Sequence, residues 1–317
     1  MAPRTLKNNQ LQQQKRIKRP VSGVLLLDKP TGFSSNGALQ KVKWLFQAEK
    51  AGHTGNLDPL ATGLLPICLG EATKFSQTLL DADKAYLATV KLGVTTSSGD
   101  SDGEVLETLP VDVSRERLEQ VLCGLQGTIS QVPPMYSALK HQGKALYEYA
   151  RQGIDIEREA RQVQIFTVTL LDFRGDVVDI AVDCSKGTYI RVLAEEIGRQ
   201  LHCGAHLIGL RRTRTAGFHL HDAVTIDALE AMTLQQRDRL LLTPDCLLQA
   251  LPALQIDDTA AHYWCNGNPV WRAQLPPAGE FRVYDGADRF IGLGFIQPDG
   301  KLAPRRVVKP ALSAGSE

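Results

Sequence analysis

Long apolar runs are missing from this 317-residue sequence. The run Val24–Leu27 falls far short of the ~20 residues that span a bilayer, so no spanning helix is expected. Paired cysteines are missing too. The six cysteines, Cys68, Cys123, Cys184, Cys203, Cys246 and Cys265, are scattered with no CxxC pair. In a chain this long, with no secretory signal at its start, that argues against a disulfide framework and for buried thiols in a reducing cytoplasm. His202-Cys203 and His206 lie together in HCGAH, but no second Cys/His cluster completes a zinc site, so a helix end and turn is the reading. No GxGxxG follows a strand and no GxxxxGK[ST] occurs, so neither dinucleotide nor P-loop chemistry is indicated. GxSxG and HExxH are absent as well. With no flavin or pyridoxal signature either, an enzyme built on this chain is expected to be cofactor-free and to work through a carboxylate.

Acid is missing from two stretches. The first 27 residues carry Arg4, Lys7, Lys15, Arg16, Lys18 and Arg19 with many Gln and Asn and no Asp or Glu. Residues 1–20 therefore read as a basic disordered tail. The tail lacks the apolar core of a signal peptide and the Ser-rich character of a transit peptide. From Ala205 to His221 the chain again has no acid but carries His206, Arg211, Arg212, Arg214 and His219. Two basic zones on a chain of net charge +1 predict one focused anion-binding face, as polynucleotide binding requires.

What is present suits a globular protein of about two domains. Hydrophobic residues make up 43% and charged residues 22%. Val21–Leu27 reads as a buried strand ended by the turn Lys29-Pro30-Thr31-Gly32. Ser34 or Ser35 can cap a helix with Leu39, Val42 and Phe46 on its apolar face. Tyr86, Ala88, Val90, Leu92 and Val94 alternate at strand period. The turn SSGDSDG after them has too few ligands for a calcium loop and reads as a solvated hairpin turn. Leu118, Val121, Leu122 and Leu125 mark a helix. Two strands, Val163–Leu171 and Val177–Cys184, flank the turn Arg174-Gly175-Asp176, and Ile190, Leu193, Ala194, Ile197 and Leu201 mark a strongly amphipathic helix. Regular βαβ alternation is absent. The fold class predicted is α+β, with a central mixed, largely antiparallel sheet flanked by helices. Residues 21–250 form its main domain, with an insertion at 131–156. Residues 251–317 form a small β-rich domain.

One loop stands out. GHTGNLDPLATG (Gly52–Gly63) places a single carboxylate among turn formers. Pro59 biases Asp58 toward extended backbone. Gly52, Gly55 and Gly63 permit turns and close approach of a ligand. Leu57, Leu60, Leu64 and Leu65 would anchor the loop and dry its surroundings. Drying alone would neutralise Asp58, so a working nucleophile needs a cationic partner, and Arg191 in KGTYIR is the candidate. For an isolated Asp-Pro, a turn cap and a surface cation remain the simpler explanation.

The blocks GVLLLDKPTGFSS, GHTGNLDPLATGLLPICLGEATKFSQ, KAYLATVKLG, MYSALKHQGKALYEYARQG, CSKGTYIRVLAEEIG and CGAHLIGLRR occur in this order. Together they closely resemble the TruB-type tRNA pseudouridine synthases, from about Gly23 to the C-terminus and more weakly after Arg214. The resemblance implies a pseudouridine-synthase fold with a PUA-like C-terminal domain. It implies that the enzyme isomerises the T-loop uridine at tRNA position 55 by base flipping, without cofactor or metal. Asp58 then matches the catalytic aspartate, Tyr86 the tyrosine that stacks on the target base and assists proton transfer, and Arg191 the ion-pair partner of the aspartate. Lys29 and Pro30 match a motif beneath that tyrosine, Tyr189 a uridine-side tyrosine, Leu210 an apolar pocket residue, and His53 a histidine that fills the space of the flipped base. Residues 131–156 match an RNA-clamping insertion. Asn56 and Ser97 depart from the family pattern without touching these residues. The expected partner is the T arm of tRNA, with no membrane, no obligatory protein partner, a monomeric state and a cytoplasmic location. The competing classes are a glycosidase or nucleoside hydrolase, which would need a second acid to protonate the leaving group and for which no residue of these blocks is assigned that role, a non-catalytic RNA-binding protein, and a guide-dependent rRNA modifier of related fold.

Overall fold

The computed structural model describes residues 18–309. Most of the expected basic tail lies outside the described residues. Arg19, assigned to that tail, is docked instead. Its backbone N–H donates to Gln47 O at 2.7 Å, and its guanidinium forks onto Asp238 at 2.7 and 2.8 Å. The folded chain thus reaches back at least to Arg19, because a bidentate Arg–carboxylate pair and backbone pairing hold it.

Strand β1 (Gly23–Lys29) leads into helix α1 (Ser35–Leu45), then β2 (Ala51–His53) and β3 (Thr62–Leu69). A 3-10 stretch (Gly70–Leu79) precedes β4 (Lys84–Leu92), followed by β5 (Val94–Thr96), β6 (Val105–Thr108), α2 (Arg115–Gly124) and β7 (Gly127–Gln131). The expected insertion holds only a short hairpin, β8 (Lys140–His141) with β9 (Lys144–Ala145), and the one-turn helix α3 (Leu146–Ala150). The long strands β10 (Arg161–Arg174) and β11 (Val177–Cys184) come next, then α4 (Ile190–Gln200) and β12 (Ala205–Thr215). β13 (Phe218–His219), β14 (Val224–Thr225), α5 (Ile226–Ala231) and α6 (Leu234–Asp238) close the main body. β15 (Ala253–Gln255), α7 (Asp258–Cys265), β16 (Glu280–Tyr284), β17 (Phe290–Ile296) and β18 (Leu302–Val307) form the C-terminal unit, a four-stranded sheet with a helix.

The main sheet runs β14-β1-β3-β12-β4-β11-β10-β7, with β2 beside β3 and β13 beside β12. Its pairs are antiparallel except β1·β14 and β3·β12. The expected mixed, largely antiparallel sheet with flanking helices is therefore what forms. Its left half is buried on both faces. Leu25 and Leu27 of β1 with Leu65, Ile67 and Leu69 of β3 face α1 and α5, while Val24, Leu26, Leu64 and Cys68 face the 3-10 stretch and Leu247–Leu248. Two buried faces explain why these strands are continuously apolar rather than alternating. The right half packs one face, including Ala88, Val90, Val178 and Ile180, against α2 and α4.

Local chemistry starts and stops the elements. Ser34 caps α1, its hydroxyl accepting from the Gly37 N–H at 3.0 Å. Helix α4 ends in a left-handed turn, with His202 at φ 59° and Gly204 at φ 69°. HCGAH is thus the helix end and turn expected, and no His/Cys/Asp/Glu group among the described residues could hold a metal ion. Strand β12 pairs with β4 with two register shifts, one between Leu207 and Gly209 and one between Arg212 and Arg214. No helix among the described residues is long and apolar enough to cross a membrane.

Candidate active site

The helix-facing cores of the two half-sheets meet along β4 and β12. Tyr86 and Leu210 pack against both of these cores, so they mark the seam. Onto this seam the loop between β2 and β3 presents Asp58.

That loop is pinned at several points. Ser35, the buried first residue of α1, accepts from the Leu57 N–H at 2.7 Å and donates to Leu57 O at 3.0 Å. Leu57 is itself buried. Ala61 N–H donates to Asp58 O at 3.1 Å and Gly32 N–H to Pro59 O at 2.9 Å. Asn56 contributes its carbonyl, which accepts from Arg212 Nη1 at 3.3 Å, rather than its side chain. Leu57, Leu64 and Leu65 are buried as anchors, while Leu60 stays partly open.

Asp58 keeps its carboxylate half open to solvent, at 43% exposure, yet pairs with an arginine that is almost sealed at 5%. Arg191 Nη2 lies 3.0 Å from Asp58 Oδ2. The same guanidinium donates to Ser98 O at 3.0 Å and Tyr136 O at 2.7 Å, and its Nε sits 3.5 Å from Asp100 Oδ2. One side chain thereby ties the acid loop, the turn after β5 and the start of the insertion. Arg191 can reach all of them because it lies in the first turn of α4. Gly198 lets that helix approach β12, since a Cβ there would meet Ala205 N at 2.2 Å.

Asp100 corrects the reading of SSGDSDG as a solvated turn. Its side chain is 6% exposed and it accepts from Ser98 Oγ and the Asp102 N–H at 2.5 and 3.1 Å. Burial is possible because Arg191 and these donors replace water. No spacing around Asp100 announces this. Glu195 adds a further acid whose carboxyl is pushed up, mainly by burial. Burial likewise pushes Asp58 up, with Arg191 and Lys29 opposing and Asp100 reinforcing. Arg191 thus serves an acid-rich site, and it holds Asp58 toward its ionised form.

The remaining sequence candidates converge here. Lys29 is fully buried at the end of β1; its ammonium donates to Pro30 O at 3.0 Å and Phe33 O at 2.6 Å. Burial lowers it to about 8, against the pull of the Asp58 charge. Tyr189 is the N-cap residue of α4, held by Gln131, whose amide accepts from Tyr189 N at 3.0 Å and donates to Tyr189 O at 3.3 Å. Burial pushes the phenols of Tyr86 and Tyr189 up. His53 ends β2; its Nδ1 is buried and makes no hydrogen bond among the described residues. Burial and the nearby Arg212 charge both lower it, so it favours the neutral imidazole.

Of the two basic zones, the first lies mostly outside the described residues, and the arginines of β12 already have partners inside the fold or are buried. Arg211 is engaged by Asp28 and Arg214 by Asp183, each at 2.6 Å, and Arg212 is buried. Acids from β1 and β11, remote in sequence, neutralise the acid-free stretch.

Comparison with known proteins agrees with this architecture. Residues 43–190 match the family described as TruB family pseudouridylate synthase (N terminal domain). Residues 191–251 match the tRNA pseudouridylate synthase B C-terminal domain, and residues 252–308 match pseudouridine synthase II TruB, C-terminal. The chain is 54% identical over 301 residues to tRNA pseudouridine synthase B of Stutzerimonas stutzeri, covering 94% of this chain and 99% of that one. It is 55% identical over 299 residues to tRNA pseudouridine synthase B of Methylobacillus flagellatus, with the same coverages of 94% and 99%. Among solved structures, the crystal structure of a Cbf5-Nop10-Gar1 complex superposes with a TM-score of 0.67 at 26% identity, covering 92% of this chain and 85% of that one. An H/ACA RNP bound to a substrate RNA containing 2'-deoxyuridine gives a TM-score of 0.67 at 24% identity, covering 91% of this chain and 86% of that one, a likeness of fold.

Proposed function

Because the chain belongs to the TruB family of pseudouridylate synthases, we propose that it isomerises the T-loop uridine of tRNA to pseudouridine, with Asp58 as the reacting carboxylate. The observation that carries this reading is the half-open Asp58 held against the sealed Arg191. A carboxylate is a competent nucleophile or charge stabiliser at an anomeric carbon. The reaction breaks N1–C1′, turns the uracil and joins C5 to C1′, so no atoms leave and no electrons are exchanged. Asp58 attacks C1′ or C6, or removes a proton to give a glycal. These routes share the same need for a charged, positioned carboxylate.

The target base has to leave its stack, which costs a few kcal/mol. Stacking on Tyr86 returns about 1–3 kcal/mol. The neutral His53 occupies the vacated place, and Tyr189 and Leu210 bound the uracil. Residues 131–156 grip the T arm, and the C-terminal sheet serves as a PUA-like RNA contact. Recognition then rests on RNA shape and phosphates more than on base edges.

The test uses purified full-length protein and an unmodified tRNA transcript with no added partner, followed by mapping of pseudouridine. One new pseudouridine is expected in the T loop, and none with Asp58→Asn. Continued modification by Asp58→Asn, or modification only at other positions, refutes the proposal.

A further inference from the structure

Arg212 is fully buried, at 2% exposure, yet has no carboxylate within ion-pair distance among the described residues, unlike its neighbours Arg211 and Arg214. Carbonyl dipoles hold it instead. Its Nε donates to Leu64 O at 2.7 Å and its Nη1 to Asn56 O at 3.3 Å. Its Nη2 is buried and makes no close hydrogen bond among the described residues. An unpaired buried cation is costly, so a site that keeps one is built to receive negative charge.

Where that charge forms follows from the strand register. Arg212 on β12 lies directly opposite Tyr86 on β4, so the two side chains share one face of the sheet, and the guanidinium charge acts on the phenol. We infer that Arg212 is a positioning residue that acts through Tyr86, holding the phenol oxygen at the seam and favouring the phenolate that accepts the proton uracil C5 releases. This inference rests on the reaction proposed above. In that step the C5–H bond breaks and its electron pair becomes the C5=C6 double bond. The former N1=C6 pair moves onto N1, which takes up a proton from solvent, while the C5 proton passes to the Tyr86 phenolate, whose own proton has left to solvent beforehand. The uracil ends isomeric and uncharged.

The surroundings fit this role. Tyr86 is faced by Arg212 from β12, by Cys184 from β11 and by Asp58 from the acid loop. Burial pushes the phenol up, and Arg212 opposes it most strongly. Arg212 is in turn surrounded by Lys29, His53 and Lys84, all of which its charge drives toward their neutral forms. The tether to Asn56 also places the same cation two residues from Asp58, so the acid and the proton acceptor share one support.

The test compares wild type, Arg212→Lys and Arg212→Met in single-turnover pseudouridine formation at saturating RNA from pH 6 to pH 10. For Arg212→Met the rate is expected to fall at neutral pH and recover as pH rises, by about tenfold for each unit the profile moves. Arg212→Lys should lie between. In parallel, 3-fluorotyrosine at Tyr86 is titrated by fluorine NMR, and its transition should move to higher pH in both variants. A uniform loss at every pH with an unmoved fluorine titration makes Arg212 structural only and overturns the inference. Unaltered rates do the same. If Arg212→Met does not fold, Arg212→Lys with the fluorine titration decides alone. If wild type forms no pseudouridine, the reaction is wrong, while the fluorine titration still reports on the coupling.

Discussion

Removing the Arg191 guanidinium should damage stability and activity through different acids. The shorter contact, 3.0 Å to Asp58, involves a carboxylate that is 43% exposed. Pairs of that kind contribute at most about 1 kcal/mol. The longer contact, 3.5 Å to Asp100, involves a carboxylate that is 6% exposed. Breaking a buried pair by deleting one partner costs about 3–5 kcal/mol, because the other charge stays unpaired. Arg191→Met is therefore expected to lose about 3–5 kcal/mol in urea unfolding, nearly all of it through Asp100. Adding Asp100→Asn removes the stranded charge while Asn Oδ1 can still accept from Ser98 and Asp102. The double variant should recover about 2 kcal/mol or more of that loss. Pseudouridine formation should stay abolished in both, since Asp58 lacks its cation either way. Asp58→Asn by contrast should leave the urea midpoint unchanged or raise it, because folding itself disfavours that charge. A double variant as unstable as Arg191→Met would refute the assignment of the stability cost to Asp100.

Three further outcomes follow from the geometry. Lys29 falls from its ordinary value to about 8 in the fold, so the unfolded chain binds more protons between pH 8 and about 10; wild type should gain stability relative to Lys29→Met as pH rises through that window, read from urea midpoints, and a flat difference contradicts it. Gly63 sits at φ 98°, and a Cβ there would come 2.3 Å from Arg212 O; Gly63→Ala should cost more than about 2 kcal/mol, strain plus a pried-open β3·β12 pairing, and a near-neutral midpoint would be inconsistent with that packing. Gln131→Leu leaves the Tyr189 N–H and C=O without their side-chain partner; about 1–3 kcal/mol should be lost and kcat should fall more than KM rises, whereas unchanged kcat would separate Gln131 from the site.

The elements were legible where one segment carries its own pattern. The apolar spacing of α4, the alternation of β4 and the Ser34 cap depend on neighbours in sequence, and each formed where expected. Order within the sheet was not legible, because β12 inserts between β3 and β4 through contacts made more than a hundred residues apart. The site divides the same way. Asp58 was visible as a lone acid in a stiffened loop, but only the likeness of whole blocks tied it to Tyr86, Tyr189 and Arg191. Asp100 was misread because local composition says turn, and burial by Arg191 is a tertiary fact. The ion pairs of Arg211 and Arg214 were not legible for the complementary reason: their acids, Asp28 and Asp183, lie on other strands. Gln131 and Lys84 carry no local signal at all. Each is a buried polar group whose partners, the Tyr189 backbone and the carbonyls of Leu79, Leu80 and Ala82, appear only after folding.

The first register shift in β12 carries a consequence for how the enzyme's chain tolerates change. Up to Leu207, odd-numbered residues of the strand face the helices, and beyond the shift Leu210 opposite Ala88 and Arg212 opposite Tyr86 take over as even-numbered ones. One extra residue, at Ile208, switches the phase of the strand. If the strand ran on from Leu207 without that bulge, Ile208 would pair with Thr89, Arg211 would stand opposite Tyr86 and Leu210 would leave the seam. Deleting Ile208 itself closes the bulge and keeps Leu210 opposite Ala88 and Arg212 opposite Tyr86. The irregularity works as a frame marker: one unpaired residue decides which side chains of the strand reach the seam, and a deletion at that residue alone leaves the choice unchanged.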